Sequence, residues 1–143
     1  MGKTIYTAEG QVSGGRAHGH GRTSDGALEV DLRLPGAEGE GGTNPEQLFA
    51  VGYASCFDSA LGAVARRQKV DPGETAVDAK VSLSTTEDRA FELSVKLDVT
   101  LPGIEDPADA VKLVEAAHEV CPYSRATRGN IDVELTANGQ KVG

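Results

Sequence analysis

The chain has 143 residues, the length of one domain with room for a real core, and we expect a single domain over residues 1–143. Its formal net charge of −8, with Lys and Arg scattered along the sequence, argues against a nucleic-acid partner, which needs a clustered basic face. Met1-Gly2-Lys3 leads straight into strand-like sequence without an apolar leader, so the expected compartment is the reducing cytoplasm, where cysteines are not static staples. The Met-Gly start is not completed as a myristoylation signal, because Tyr6 stands where Ser or Thr is required.

In chain order, residues 4 to 13 predict a first strand, followed by a glycine-rich stretch carrying Arg16, His18, His20 and Arg22. Leu28, Val30, Leu32 and Leu34 alternate with Glu29, Asp31 and Arg33, which predicts a strand with one buried face. The loop from Pro35 to Gly42 is flexible by composition and is a candidate gate over a site.

Asn44 as N-cap, Pro45 at the first helical position and Gln47 at the third open a helix that runs about twenty residues to Arg66. Between Glu46 and Arg66 its one charge is Asp58, and the rest is apolar or small, which predicts burial nearly all round. A membrane span is disfavoured by Asp58 in mid-segment, by the lack of an aromatic belt and by the amphipathic strands on either side. One layer of sheet covers one side of such a helix. Gly52, Ala54, Ser55, Ala60 and Ala63 leave room for a second helix, so we expect a homodimer with these helices packed centrally and the sheets outside.

Two further strands follow: Val77, Ala79, Val81 and Leu83 against Asp78, Lys80 and Ser82, then Phe91, Leu93, Val95, Leu97, Val99 and Leu101. Glu87-Asp88-Arg89 turns them into a hairpin, and the sheets are expected to be largely antiparallel. Asp106, Pro107 and Asp109 open a second helix, with Ala110, Leu113, Val114, Ala117 and Cys121 on one stripe and Lys112, Glu115 and Glu119 facing away. Pro122 ends it, Ser124 caps a short turn through Arg128, and Ile131, Val133 and Leu135 form a last strand. The whole is an α+β pattern.

Two cysteines are the chemistry-bearing residues: Cys56 inside the first helix and Cys121 at the end of the second. A cysteine attacks as its thiolate, so a reactive Cys56 needs its pKa lowered from roughly 8.5. The helix dipole does not supply this, because Cys56 lies about three turns past Asn44 and the effect fades within the first turn. Left alone in an apolar helix the thiol is inert. The candidate cations are Arg16, Arg22, His18, His20 and His118.

Five segments are shared in kind with one family: Gly14-Gly15-Arg16, Gly21-Arg22-Thr23-Ser24-Asp25-Gly26, Thr43-Asn44-Pro45-Glu46-Gln47-Leu48-Phe49-Ala50, Cys56-Phe57, and the run from Cys121-Pro122-Tyr123-Ser124 to Ile131. Together they resemble the organic hydroperoxide resistance (Ohr) proteins of the Ohr/OsmC family over essentially the whole chain. The resemblance implies an OsmC-like α+β fold, with antiparallel sheets packed around central buried helices in an intertwined homodimer. It implies that Cys56 is the peroxidatic residue and Cys121 the resolving one, with Arg16 holding the thiolate and Glu46 holding Arg16 through a charge-assisted pair. It also implies an organic hydroperoxide as substrate, a lipoylated protein or other dithiol as reductant, and no bound cofactor. Apolar residues expected near Cys56, namely Leu48, Phe49 and Phe57, suit alkyl or fatty-acid hydroperoxides. Glu46 and Cys56 are about 15 Å apart along one straight helix, so Glu46, and with it Arg16, is expected to come from the second subunit.

Other readings compete. His18, His20, His118 and two cysteines are enough soft ligands for a metal, but no Cys-x-x-Cys or His-x-x-x-His spacing occurs, and no metal is expected. A hydrolase lacks the Gly-x-Ser-x-Gly elbow. A non-catalytic binding module and an OsmC-type peroxidase of broader substrate range are the remaining alternatives. His118 reads as a packed helix histidine or as a residue that tunes Cys121.

Overall fold

The computed structural model describes residues 2–36 and 41–143, so Ala37 to Glu40 of the expected gating loop lie outside the described residues. Two compact units are present, Met1–Leu48 and Phe49–Gly143.

The first unit is built on a three-stranded antiparallel sheet of β1 (Gly10–Ser13), β2 (Gly19–Thr23) and β3 (Glu29–Leu32), with β2 in the middle. β1 is shorter than the strand expected over residues 4 to 13, because its pairing with β2 runs only from Gly10 against Thr23 to Ser13 against His20. A one-turn helix, α1 (Gly15–His18), lies between them, so Arg16 and His18 sit on a helical turn and His20 on a strand rather than in a loop. The turn depends on Gly14 at φ 87°, where an added Cβ would stand 2.6 Å from the His18 carbonyl oxygen. β2 has no apolar alternation of its own and is made by its neighbours.

The expected buried face of residues 28–34 is only partly realised. Leu32 is buried and Val30 half-buried, but Leu28 and Leu34 are exposed. Leu28 is taken up in the β2–β3 turn, where its backbone N–H donates to Thr23 Oγ1 at 3.1 Å, and Leu34 lies beyond the end of the strand.

Helix α2 (Pro45–Gln68) starts where the sequence places it: Asn44 Oδ1 accepts the Gln47 N–H at 2.9 Å. It ends two residues later than expected, with Lys69 at φ 59° and the Val70 N–H bonded to the Ala65 carbonyl, a left-handed closure made without glycine.

In the second unit β4 (Ala76–Thr85), β5 (Phe91–Thr100), β6 (Val133–Ala137) and β7 (Gln140–Val142) form a sheet in that order. β4 and β5 pair antiparallel along their full length, from Ala76 opposite Thr100 to Thr85 opposite Phe91. The exception to the antiparallel expectation is β5 with β6, which are parallel. The chain crosses between them through α3 (Pro107–Val120) and α4 (Pro122–Thr127), and a helical crossover brings a strand back in the same direction. β7 was not expected, although Asn138-Gly139, both at positive φ, is a strong two-residue hairpin signal.

The core of this unit lies between sheet and helices. Val95, Leu97 and Val99 of β5 and Leu135 of β6 pack with Tyr53, Phe57, Leu61 and Val64 of α2 and with Ala110, Leu113, Val114 and Ala117 of α3. The α3 stripe is as expected, with Asp106 Oδ1 capping the Ala108 N–H. By length and composition α2 could cross a membrane, yet its Tyr53, Phe57, Leu61 and Val64 are in this core.

The expectation that α2 is buried nearly all round does not hold within the chain. Tyr53, Phe57, Ala60, Leu61, Val64 and Ala65 form one buried stripe, while Val51 is 72% exposed and Ser55 and Ser59 are open to solvent on another face. Sheet and α3 together cover one side only. Asp58, the mid-helix charge, accepts a hydrogen bond from Thr75 Oγ1 at 2.6 Å.

Leu61 is fully buried at the centre of this packing. Truncation to Ala is expected to cost about 3 kcal/mol through lost transfer energy and an unfilled cavity, read as a lower urea midpoint with an unchanged slope.

Candidate active site

The two cysteines meet in the second unit. Cys121 Sγ donates toward Cys56 Sγ at 3.6 Å, and both are free thiols. Cys56 is half-buried on α2 and Cys121 is fully buried. Closing a disulfide to about 2.05 Å requires the sulfurs to approach by roughly 1.5 Å.

Local sequence explains where Cys121 stands. The α3 stripe turns it inward, and Pro122 disfavours helical backbone at the residue before it, so Cys121 takes φ −66°, ψ 123°. It closes α3 through its N–H to the Ala117 carbonyl and opens α4 through its carbonyl to the Arg125 N–H, both at 2.9 Å. Cys121 is therefore at once the C-cap of one helix and the N-cap of the next.

Burial pushes the Cys56 thiol up from its ordinary value; the Tyr123 backbone N–H, donating to the sulfur, opposes this, and the adjoining Cys121 thiol adds to the rise. The direction is the one expected of a thiol in an apolar helix, and a nearby cation would act against it.

Tyr123, whose N–H meets Cys56, forms an aromatic group with Phe49 and Tyr53, Phe49 stacked on Tyr123 with centroids 6.0 Å apart and Tyr53 tilted 5.7 Å from Tyr123. Gly52 makes this possible, since a Cβ there would stand 3.0 Å from the Tyr123 hydroxyl. Phe57, expected near a substrate, is instead fully buried in the core because it continues the stripe of Tyr53 and Leu61.

Beneath the aromatic group is a buried hydroxyl network. The Tyr53 hydroxyl bonds Ser124 Oγ at 2.8 Å and Thr127 Oγ1 at 3.0 Å, and Ser124 Oγ bonds His118 Nδ1 at 2.8 Å. Ser124 does not cap a turn through Arg128, because α4 already starts at Pro122. His118 is packed as one reading had it, with burial and then the Arg128 guanidinium lowering its pKa.

The other two candidate residues meet in the first unit. Arg16 Nη1 donates to Glu46 Oε2 at 3.2 Å and Nη2 to Oε1 at 3.1 Å, a two-pronged pair. The Arg16 bond holds the Glu46 carboxyl below its ordinary value of 4.5 against a smaller opposing effect of burial. Glu46 is in the first turn of α2 and Arg16 on α1, so the N-cap at Asn44 and the Gly14-Gly15 turn present the two groups to each other.

A family model described as OsmC-like protein matches residues 37–136. The organic hydroperoxide resistance protein of Xanthomonas axonopodis pv. citri is 48% identical over 138 residues, covering 94% of this chain and 95% of that one. The crystal structure of the organic hydroperoxide resistance protein OhrB of Bacillus subtilis superposes with a TM-score of 0.87 at 46% identity, over 93% of this chain and 98% of that one. The chain belongs to the OsmC-like family, among the organic hydroperoxide resistance proteins.

Its α+β fold is that of the family. Among the described residues no group of three or more His, Cys, Asp or Glu side chains is placed to hold an ion. His20 uses both ring nitrogens on carboxylates, Asp31 and Glu29, each at 2.8 Å. The Tyr53, Ser124 and Thr127 hydroxyls were missed at the sequence level; the available signal was a tyrosine on the buried stripe of an otherwise apolar helix, which demands a polar partner.

The Arg16–Glu46 pair gives a pH signature. Because the folded pKa of Glu46 lies below 4.5, its contribution is fully present above 4.5 and is lost as pH falls through the lowered value. With Arg16 44% exposed, the contribution is at most about 1 kcal/mol. Glu46→Gln is expected to be less stable than wild type by up to that amount at neutral pH, with the gap closing in acid, as measured by urea unfolding at a series of pH values.

Proposed function

We propose that this protein is a cysteine-based thiol peroxidase that reduces organic hydroperoxides to alcohols. The observation that carries the reading is the pair of free thiols, Cys56 and Cys121, at 3.6 Å. The relatives named for organic hydroperoxide resistance support the substrate class, and the apolar Phe49 ring beside the Tyr123 ring suits an alkyl chain better than hydrogen peroxide.

In the first step the Cys56 thiolate attacks the terminal peroxide oxygen, the O–O bond breaks, and the alkoxide takes a proton and leaves as an alcohol. Cys56 becomes a sulfenic acid. The Cys121 thiol then displaces the hydroxyl: the S–S bond forms, the S–O bond breaks, and water leaves. A dithiol reductant, for which a lipoyl group on a partner protein is our proposal, reopens the disulfide by exchange. No cofactor enters any step.

Arg16 has the role of the missing cation, stabilising the thiolate and polarising the peroxide, and Glu46 fixes the guanidinium plane through two parallel bonds. Glu46 and Cys56 stand on one unbroken helix about 15 Å apart along its axis. We therefore assign the Arg16–Glu46 pair that serves a given Cys56 to the second subunit of an antiparallel homodimer. The exposed Val51, Ser55 and Ser59 on α2 support this assembly.

The test is cumene hydroperoxide consumption with a dihydrolipoyl reductant. Cys56→Ser is expected to abolish it, Cys121→Ser to permit one stoichiometric reduction without turnover, and Arg16→Ala to lower kcat/KM by a hundredfold or more. A wild-type protein that consumes no organic hydroperoxide with any dithiol would overturn the reading.

A further inference from the structure

The thiols belong to two segments distant in sequence, α2 and the α3–α4 junction, and each has a buried hydroxyl three residues away. Tyr53 precedes Cys56 by one helical turn, on an adjoining part of the same helix surface. Ser124 follows Cys121 by three residues, inside α4. These two hydroxyls bond each other at 2.8 Å, and both residues are fully buried. Thr127 accepts or donates a second bond to Tyr53 at 3.0 Å. On the far side Ser124 Oγ meets His118 Nδ1 at 2.8 Å, and Arg128 Nη1 donates to the His118 carbonyl at 2.8 Å, which ties the last turn of α3 to α4.

We propose that Tyr53 and Ser124 are positioning residues for disulfide closure: their hydrogen bond holds the Cys121 segment against α2, so that the second sulfur stands in line for the sulfenic acid on Cys56. The inference rests on the thiol-peroxidase reading and adds to it a division of labour between residues. The part given to Tyr53 and Ser124 is to place the Cys121 segment, and the bond-making is left to the two sulfurs.

Several observations converge on this role. The hydroxyls are sealed from water, so no solvent molecule replaces a deleted partner, and every buried side-chain nitrogen and oxygen among the described residues is hydrogen-bonded. Either tautomer of His118 completes the chain. With the proton on Nδ1 the bonds run His118 to Ser124 to Tyr53 to Thr127, and Thr127 Oγ1 donates to the Ser124 carbonyl at 3.3 Å. With the proton on Nε2, Ser124 donates to Nδ1 and Tyr53 donates into α4. The sulfurs at 3.6 Å stand just outside near-attack distance, and a displacement of about 1 Å is enough to slow such a step a hundredfold. The closure reaction itself is Cys56–SOH plus Cys121–SH giving the disulfide and water, the Cys121 proton leaving with the displaced hydroxyl.

The test is a single turnover with one equivalent of cumene hydroperoxide, in which loss of peroxide reports the first step. A dimedone quench followed by mass spectrometry reports the surviving sulfenic acid. Tyr53→Phe removes one oxygen and Ser124→Ala removes the other. In both, closure is expected to slow by about tenfold or more while peroxide loss keeps its wild-type rate, so that the sulfenic acid accumulates. Closure at the wild-type rate in both variants overturns the proposal, and so does equal slowing of both steps, which marks a merely structural role. A wild type without Cys56-dependent peroxide loss overturns the peroxidase reading and this inference with it, whereas failure in the variants alone leaves the peroxidase reading standing.

Discussion

Pro122 has no backbone N–H and crowds the residue before it, and that restriction decides where the second thiol stands. Cys121 leaves the helical region at ψ 123°, α3 ends, and α4 starts on a new course with Pro122 at its first position. The new course brings the Tyr123 N–H to Cys56 and the Ser124 hydroxyl to Tyr53. Had α3 continued straight, the same residues would wind around its axis and neither contact would form. The approach of the thiols, the hydroxyl network and the aromatic group all follow from this break.

A buried thiol next to a second thiol is electrostatically poor ground for a thiolate, and the higher pKa of Cys56 expresses that. In the proposed reaction Arg16 supplies the opposing charge, and the Glu46 carboxylate fixes the orientation of its guanidinium through two bonds.

Much of this was legible in the sequence. Alternation in β4 and β5, the Asn44 and Asp106 caps and the α3 stripe all rest on local rules, and the structure follows them. What escaped depends on partners distant in sequence. β2 is a strand because β1 and β3 flank it, although His20, Gly21 and Arg22 carry no strand signal. The parallel pairing of β6 follows from the crossover and not from any residue within β6. The motif segments named Cys56, Cys121, Arg16 and Glu46, and the structure brings them together as two pairs; Tyr53 and Ser124, 71 positions apart, left no joint trace. The opposite face of α2 looked buried because its composition is uniform, and composition does not say which face of a helix its own chain covers.

The most direct test of the central claim is a peptide map of the wild-type protein after one equivalent of cumene hydroperoxide, with free thiols blocked before digestion. The account requires a peptide pair joined through Cys56 and Cys121, two hydrogens lighter than the separate peptides, and its disappearance on treatment with a dithiol. Recovery of both cysteines blocked as thiols, or a Cys56 oxidised with Cys121 untouched, would contradict it.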